Sequence, residues 1–226
     1  MKNVFADILN KFRIRFFHTI DHYYDMKICN RDLSKNIPSL YRDDINGVGM
    51  TGTQSTHYSI LKKIFANVKI QEGDSLIDVG CGMGRILAFC IKEGYACSLN
   101  GIEINKEPGN IALSWSEKYN QINIMIGDAF LLDYNQYTVL NLDRPFLPKT
   151  FEKFIQLIES QLIHSIIFIY WVDQQSGGYL VNRKGWTMKK REAINRIYGI
   201  KIPCAPQWYS IWEYTPTKNN TVCEDI

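Results

Sequence analysis

The chain has 226 residues, 46% apolar and 22% charged, with 26 Lys and Arg against 23 Asp and Glu for a net charge of +3. These are globular proportions and exclude a disordered, collagen-like or coiled-coil chain; a chain this long buries roughly 70% of its extended surface in one domain, with room for a terminal extension. The charge balance lacks the strongly basic footprint of a domain built for long nucleic acids, though it leaves room for a local basic patch.

Phe5, Ile8, Leu9, Phe12, Phe16 and Ile20 recur at helical spacing, with Lys11, Arg13 and Arg15 largely off that stripe. The spacing predicts an N-terminal helix, and the polar, tyrosine-rich residues 21–46 predict a loop-rich connection. Residues 1–50 are thus a helical extension: a helix packed on the main domain, a lid over a site, or a basic and aromatic helix lying on a membrane. No stretch approaches about 18 uncharged apolar residues, so no transmembrane helix is expected. Asp7, Lys11, Arg13 and Arg15 break up any signal-peptide core. The cysteines (Cys29, Cys81, Cys90, Cys97, Cys204, Cys223) form no C-x-x-C pair and no zinc spacing, so free thiols, no metal and a reducing, cytoplasmic setting are expected. The N-x-T at Asn219 then carries no sugar.

From Ser55 helices and strands alternate. The pattern predicts helices over 55–65, 85–92, 107–119 and 149–162. It predicts strands over 75–79, 96–104 (ending near Ile102), 122–126, 137–142 and 165–170. This alternation means an α/β domain with a doubly wound, mostly parallel sheet over 51–215. Two late β-rich runs, 194–202 and 208–214, have the texture of an antiparallel pair, and 216–226 read as a frayed tail.

The sharpest motif is Asp78-Val79-Gly80-Cys81-Gly82-Met83-Gly84-Arg85, between the first strand and its helix. Glycines there allow a tight turn and a close backbone approach to a ligand. The spacing is G-x-G-x-G, whereas the dinucleotide fingerprint is G-x-G-x-x-G. Glu103 ends the second strand, where an acid can take both hydroxyls of a ribose. Asp128 follows the third strand, where an acceptor can meet an adenine amino group. All three features lie at carboxyl ends of consecutive strands, where open α/β sheets bind ligands.

With these residues, 51–214 resembles a class I S-adenosylmethionine-dependent methyltransferase. The resemblance implies a seven-stranded sheet with its last strand antiparallel, and S-adenosylmethionine as cofactor. It implies that Gly80, Cys81, Gly82 and Gly84 carry the methionyl part and that Asp78 acts near the amino group. Glu103 would hold the ribose beside Ile104, and Asp128 the adenine, with Ala129 and Phe130 lining the ring. Thr51, Thr53, Gln54 and Tyr58 are candidates at the carboxylate end; equally, Ser55 or Thr56 reads as an ordinary N-cap for a helix starting at His57.

The acceptor belongs beyond the fourth and fifth strands. Asn141, Asp143 and Arg144 precede Pro145-Phe146, which departs from the Asn/Asp-Pro-Pro-aromatic pattern of amino-methylating enzymes by three intervening residues. Asn141 is a candidate partner of the acceptor, Asp143 a candidate base and Arg144 an anchor; a surface turn is the plain alternative. Tyr170 and Trp171 read as an aromatic wall or as core, and Asp173 as a second acid. His164 lies at the wrong sheet edge; His57 is better placed, beside the hydroxyl-rich stretch, though a histidine at a helix start is ordinarily just exposed. Lys189-Lys190-Arg191 is either a patch for an acidic partner or a solvated face. The leading expectation is methyl transfer to an oxygen or nitrogen of a small molecule or glycan. A protein lysine, or a cofactor-binding module without turnover, stands behind it. A nicotinamide dehydrogenase is disfavoured by the loop spacing, and the near-neutral charge argues against nucleic acid.

Overall fold

The computed structural model describes residues 4–202 and 206–217. Its centre is a seven-stranded sheet of β1 (Ser75–Val79), β2 (Ser98–Glu103), β3 (Ile122–Ile126), β4 (Val139–Asp143), β5 (Ile166–Trp171), β6 (Trp186–Ile194) and β7 (Gln207–Tyr214). The spatial order is β3-β2-β1-β4-β5-β7-β6. β1 to β5 pair in parallel, and β7 runs antiparallel to both β5 and β6. The expected doubly wound sheet is therefore present, with its antiparallel strand. The order reverses between β1 and β4, which opens a crevice at their carboxyl ends.

Among the described residues there are five α-helices, α1 (Val4–Cys29), α2 (Tyr58–Phe65), α3 (Arg85–Glu93), α4 (Lys106–Ser116) and α5 (Pro148–Gln161), with α1 packed on α2 and α3. Covered on both faces, β1 reads as a nearly continuous apolar run, with Leu76, Ile77 and Val79 fully buried. α4 is capped by Asn105, whose side chain accepts the Glu107 N–H at 3.1 Å. α5 opens on Pro148, where a missing N–H costs nothing. Among the described residues, no helix is long and apolar enough to cross a membrane.

Two stretches differ from expectation. α1 runs to Cys29, through residues 21–29 of the segment expected to be loop. Its buried face is Phe17, Asp21, Asp25 and Ile28, while Ile8 and Phe12 of the expected stripe are exposed. The two acids sit at i, i+4 spacing on the inner face because Arg85 pairs with both, and a hydropathy stripe cannot register a buried acid. Late in the chain the edge strand is 186–194, whereas 194–202 carries only a small hairpin of Arg196–Ile197 and Ile200–Lys201. Lys189, Lys190 and Arg191 disguise β6, as charges on edge strands do. They are no free basic cluster: Lys189 pairs with Glu213, Lys190 with Glu192, and Arg191 with Asp173. Cys204, Cys223 and residues 218–226 of the expected tail lie outside the described residues, as does the side chain of Phe5.

Candidate active site

β1 passes into α3 through the glycine loop. Gly80, Gly82 and Gly84 hold φ of +73°, +55° and +85°, the left-handed region that glycine enters without strain. Crowding adds a second requirement. A Cβ on Gly80 would lie 2.5 Å from Pro145 Cβ, and one on Gly82 2.6 Å from Thr53 Cγ2. The glycines thus let a roof, built from 51–53 and Pro145, settle onto the loop. Thr51 ties that roof together: its N–H donates to the Pro145 carbonyl at 2.9 Å and its hydroxyl to the Arg144 carbonyl at 2.7 Å.

Below the roof, at the carboxyl ends of β1, β2 and β3, lies a cleft lined by Gly80, Gly82, Glu103 and Asp128, a concave surface with a few convergent polar groups of the kind that binds small molecules. Glu103 anchors it. The Gly82 N–H donates to Glu103 Oε2 at 2.8 Å and the Asn105 N–H to Oε1 at 2.8 Å. Each oxygen keeps a further lone pair for a ligand. Burial pushes the Glu103 carboxyl above its ordinary range, against those N–H donors. Asp128 accepts the Phe130 N–H at 2.9 Å, and Cys81, Ile104 and Ala129 line the wall.

Asp78 is 1% exposed. Asn141 faces it across the β1–β4 register and donates to its Oδ1 at 2.8 Å, while Oδ2 is buried without a partner. Burial pushes this carboxyl up to about 8; the Asn141 amide opposes the shift, and Asp143 and Glu103 reinforce it. An unpartnered carboxyl oxygen on the cleft wall fits a cationic ligand group, such as the ammonium or sulfonium of the expected cofactor. Because the folded value lies above the unfolded one of roughly 3.9, the unfolded chain loses this proton first. The associated stability is complete below about pH 4 and falls away as pH rises through about 8. Asp78→Asn, neutral throughout, is expected to flatten the fall in Tm between about pH 5 and pH 9. An unchanged slope in a thermal melt series would contradict this.

A second cavity adjoins the first and shares Thr51, Gln54, Thr56 and Asp143 with it. It continues to His57, Arg144, Trp171 and Val172. Asp143 accepts the Thr56 hydroxyl, and burial pushes its carboxyl up to about 6, against that hydroxyl and Arg144. Arg144 and Val172, just past β4 and β5, have φ of +42° and +57°. Such backbone costs about 1–3 kcal/mol at each residue and clusters at functional sites.

No family model matches the chain. Over 69 residues it is 30% identical to "Probable (S)-tetrahydroprotoberberine N-methyltransferase 2" of Papaver bracteatum, covering 30% of this chain and 18% of that protein. Over 90 residues it is 29% identical to a protein-lysine N-methyltransferase of Saccharolobus islandicus, covering 38% of this chain and 56% of that one. The chain thus spans less than two thirds of either curated relative. The structure of an RNA methyltransferase from Salinibacter ruber, in complex with S-adenosyl-L-homocysteine, superposes with a TM-score of 0.54 at 18% identity, over 73% of this chain and 95% of that one. The chain has the class I S-adenosylmethionine-dependent methyltransferase fold. Its cleft lies where the order of that sheet reverses.

Against this methyltransferase fold, several expected site residues are elsewhere. Gly84 does not line the cleft; a Cβ there would strike Trp115 at 2.9 Å, so it serves α3–α4 packing. Tyr58 is buried between Tyr24 and Arg85 and lines neither cavity. Asn141 is 2% exposed, donates to Asp78 and lines neither cavity. Tyr170 is core, stacked on Phe151 at 4.7 Å. Trp171, on the opposite face by strand alternation, does reach the second cavity. Asp173 is 1% exposed and paired with Arg191, so it is no open acid. Neither Ser55 nor Thr56 caps α2: Ser55 donates to the Leu33 carbonyl and Thr56 to Asp143, while the N-cap is His57.

Sequence reasoning missed the network beneath the loop. Arg85, 3% exposed, donates to Asp25 Oδ2 at 2.5 Å and Oδ1 at 3.2 Å, to Asp21 Oδ2 at 3.4 Å and to Ser34 Oγ at 2.9 Å. It fastens α1 to the glycine loop. An arginine opening α3 and two acids one turn apart on α1 were the available signal.

Proposed function

We propose that the chain is an S-adenosylmethionine-dependent methyltransferase acting on an oxygen or nitrogen of a small molecule or glycan. Two adjoining cavities with a common wall at Thr51, Gln54, Thr56 and Asp143 carry this reading. One suits a donor and the other an acceptor, so the reacting atoms meet at that wall. S-adenosylmethionine, when bound, supplies a methyl group already activated on a sulfonium.

In this reading Glu103 takes the ribose hydroxyls, Asp128 the adenine edge and Asp78 the cofactor's cationic side. The Gly80–Gly82 turn gives the donor its backbone approach. Residues 51–215 bind the donor, and the extension 1–50 closes over it through Pro38 and Tyr41, which line the donor cleft. Orientation in line with the carbon–sulfur bond, and exclusion of water, are the protein's main contributions. Both curated relatives carry N-methyltransferase names, which supports nitrogen among the acceptors. A protein lysine is the second reading, supported by the protein-lysine relative. Among the described residues the buried thiols Cys29, Cys81, Cys90 and Cys97 are unpaired, which fits a reducing cytoplasm.

Incubation with methyl-labelled S-adenosylmethionine and a panel of alcohols, phenols, glycans, alkylamines and lysine peptides tests the proposal. Label is expected on a small acceptor. Label on lysine peptides alone favours the second reading, and binding of the donor without transfer to anything favours a module without turnover.

A further inference from the structure

The acceptor cavity holds a histidine that the sequence pattern would leave exposed and idle. His57 is the N-cap of α2, and its Nδ1 lies 2.5 Å from Asp21 Oδ2. Asp21, 1% exposed on α1, also accepts the Tyr58 N–H at 3.0 Å through Oδ1. The acid thereby caps α2 from another helix. The ring packs against Phe17 at 5.2 Å and edge-on to His18 at 5.7 Å between centroids. Nδ1 is thus tied to a carboxylate, while Nε2 has no hydrogen-bond partner among the described residues. The ring is 18% exposed and lines the acceptor cavity.

With Asp21 Oδ2 placed between the Arg85 guanidinium and the ring, an Nδ1–H donating to it is the tautomer that leaves the lone pair on Nε2. Asp21 already has two other donors, the Tyr58 N–H and the Arg85 guanidinium, without the ring. The remaining charged groups at this cavity are Asp143, whose Oδ2 is taken by the Thr56 hydroxyl, and Arg144. Asp143 also faces the acceptor, with Oδ1 open; His57 differs from it in presenting a single nitrogen lone pair whose direction is set by the Asp21 contact.

We infer that His57, held by Asp21, is the general base for the acceptor, and that the acceptor is a nucleophile carrying a proton, a hydroxyl or an alkylammonium. The inference rests on the methyltransferase reading. The acceptor's oxygen or nitrogen forms a bond to the methyl carbon as the carbon–sulfur bond breaks, and that bond's electron pair stays on sulfur as a neutral thioether. The acceptor's proton goes to His57 Nε2, before attack for an ammonium or during it for a hydroxyl. The resulting imidazolium faces Asp21 and returns the proton to solvent. His57 is the catalytic residue and Asp21 a positioning residue.

Two measurements test this. The first is ¹⁵N-edited NMR of the His57 ring in the full chain, which needs no substrate. The Nδ1–H tautomer is expected in the wild type and its loss in Asp21→Asn; an Nε2–H tautomer in the wild type overturns the inference. The second is labelled methyl transfer to alcohols, phenols and alkylamines, with carboxylates and aromatic thiols already ionised at the assay pH as acceptors that need no base. His57→Gln is expected to lower kcat on the proton-bearing acceptors by about 10²- to 10⁴-fold, with KM and donor affinity unchanged. Undiminished turnover in His57→Gln, loss in Asp143→Asn alone, or a wild type that accepts only carboxylates and aromatic thiols overturns it. Failure of the donor to bind the wild type defeats the methyltransferase reading instead, and the NMR result still decides whether the dyad exists.

Discussion

Arg85→Ala is expected to lower the unfolding free energy by about 3–5 kcal/mol near neutral pH, the range for removing one partner of a buried charge cluster. Asp21 and Asp25 are both essentially unexposed and both on α1, and Arg85 donates to each. Without it they are left in an apolar setting beside Phe17 and Ile28, and α1 loses its tie to the glycine loop. Burial already raises the Asp25 carboxyl above its ordinary range, with Arg85 holding it down. Removing the arginine therefore raises it further. A raised folded value means stability that is present at low pH and lost as pH rises through that value, so the variant's deficit grows with pH. Denaturant titrations at about pH 5 and pH 8 check both size and trend. A deficit under about 1 kcal/mol, typical of an exposed pair, would mean that the cluster does not hold α1.

Glu103→Ala is expected to weaken donor binding by an order of magnitude or more. A charge-assisted hydrogen bond is worth about 1.5–3 kcal/mol, and the ribose offers Glu103 two hydroxyls. The same carboxylate accepts the Gly82 and Asn105 N–H groups, so its loss also frees the loop and the start of α4. Glu103→Gln keeps one oxygen acceptor and loses the charge, so an intermediate affinity is expected. Unchanged affinity in Glu103→Ala would remove the residue from the ribose role.

Much of this was legible in the sequence. Strand and helix alternation from Ser75 to Trp171 produced the sheet, because buried parallel strands read as apolar runs between amphipathic helices. The glycine loop, Glu103 and Asp128 were visible because backbone sterics and hydrogen-bonding capacity restrict what can stand there. Less visible was anything decided by a partner distant in sequence. Asp21 and Asp25 looked like loop residues because Arg85, some sixty positions on, neutralises them. His57 looked idle because its orienting acid lies on α1. Asn141 and Tyr170 were assigned to the acceptor from their strand end, but alternation turns Tyr170 into the core and register aims Asn141 at Asp78. β6 was missed because an edge strand carrying ion pairs on both faces has no hydropathy period.

The cleft over the glycine loop is expected to hold an adenosyl donor. Calorimetric titration of the wild type with S-adenosylmethionine and S-adenosylhomocysteine, with NAD as control, tests this most directly. Micromolar binding of both adenosyl compounds is expected, with no binding of NAD and with proton release by the cationic donor below about pH 8 as it ionises Asp78. Absence of binding by either adenosyl compound, or preference for NAD, would contradict the account.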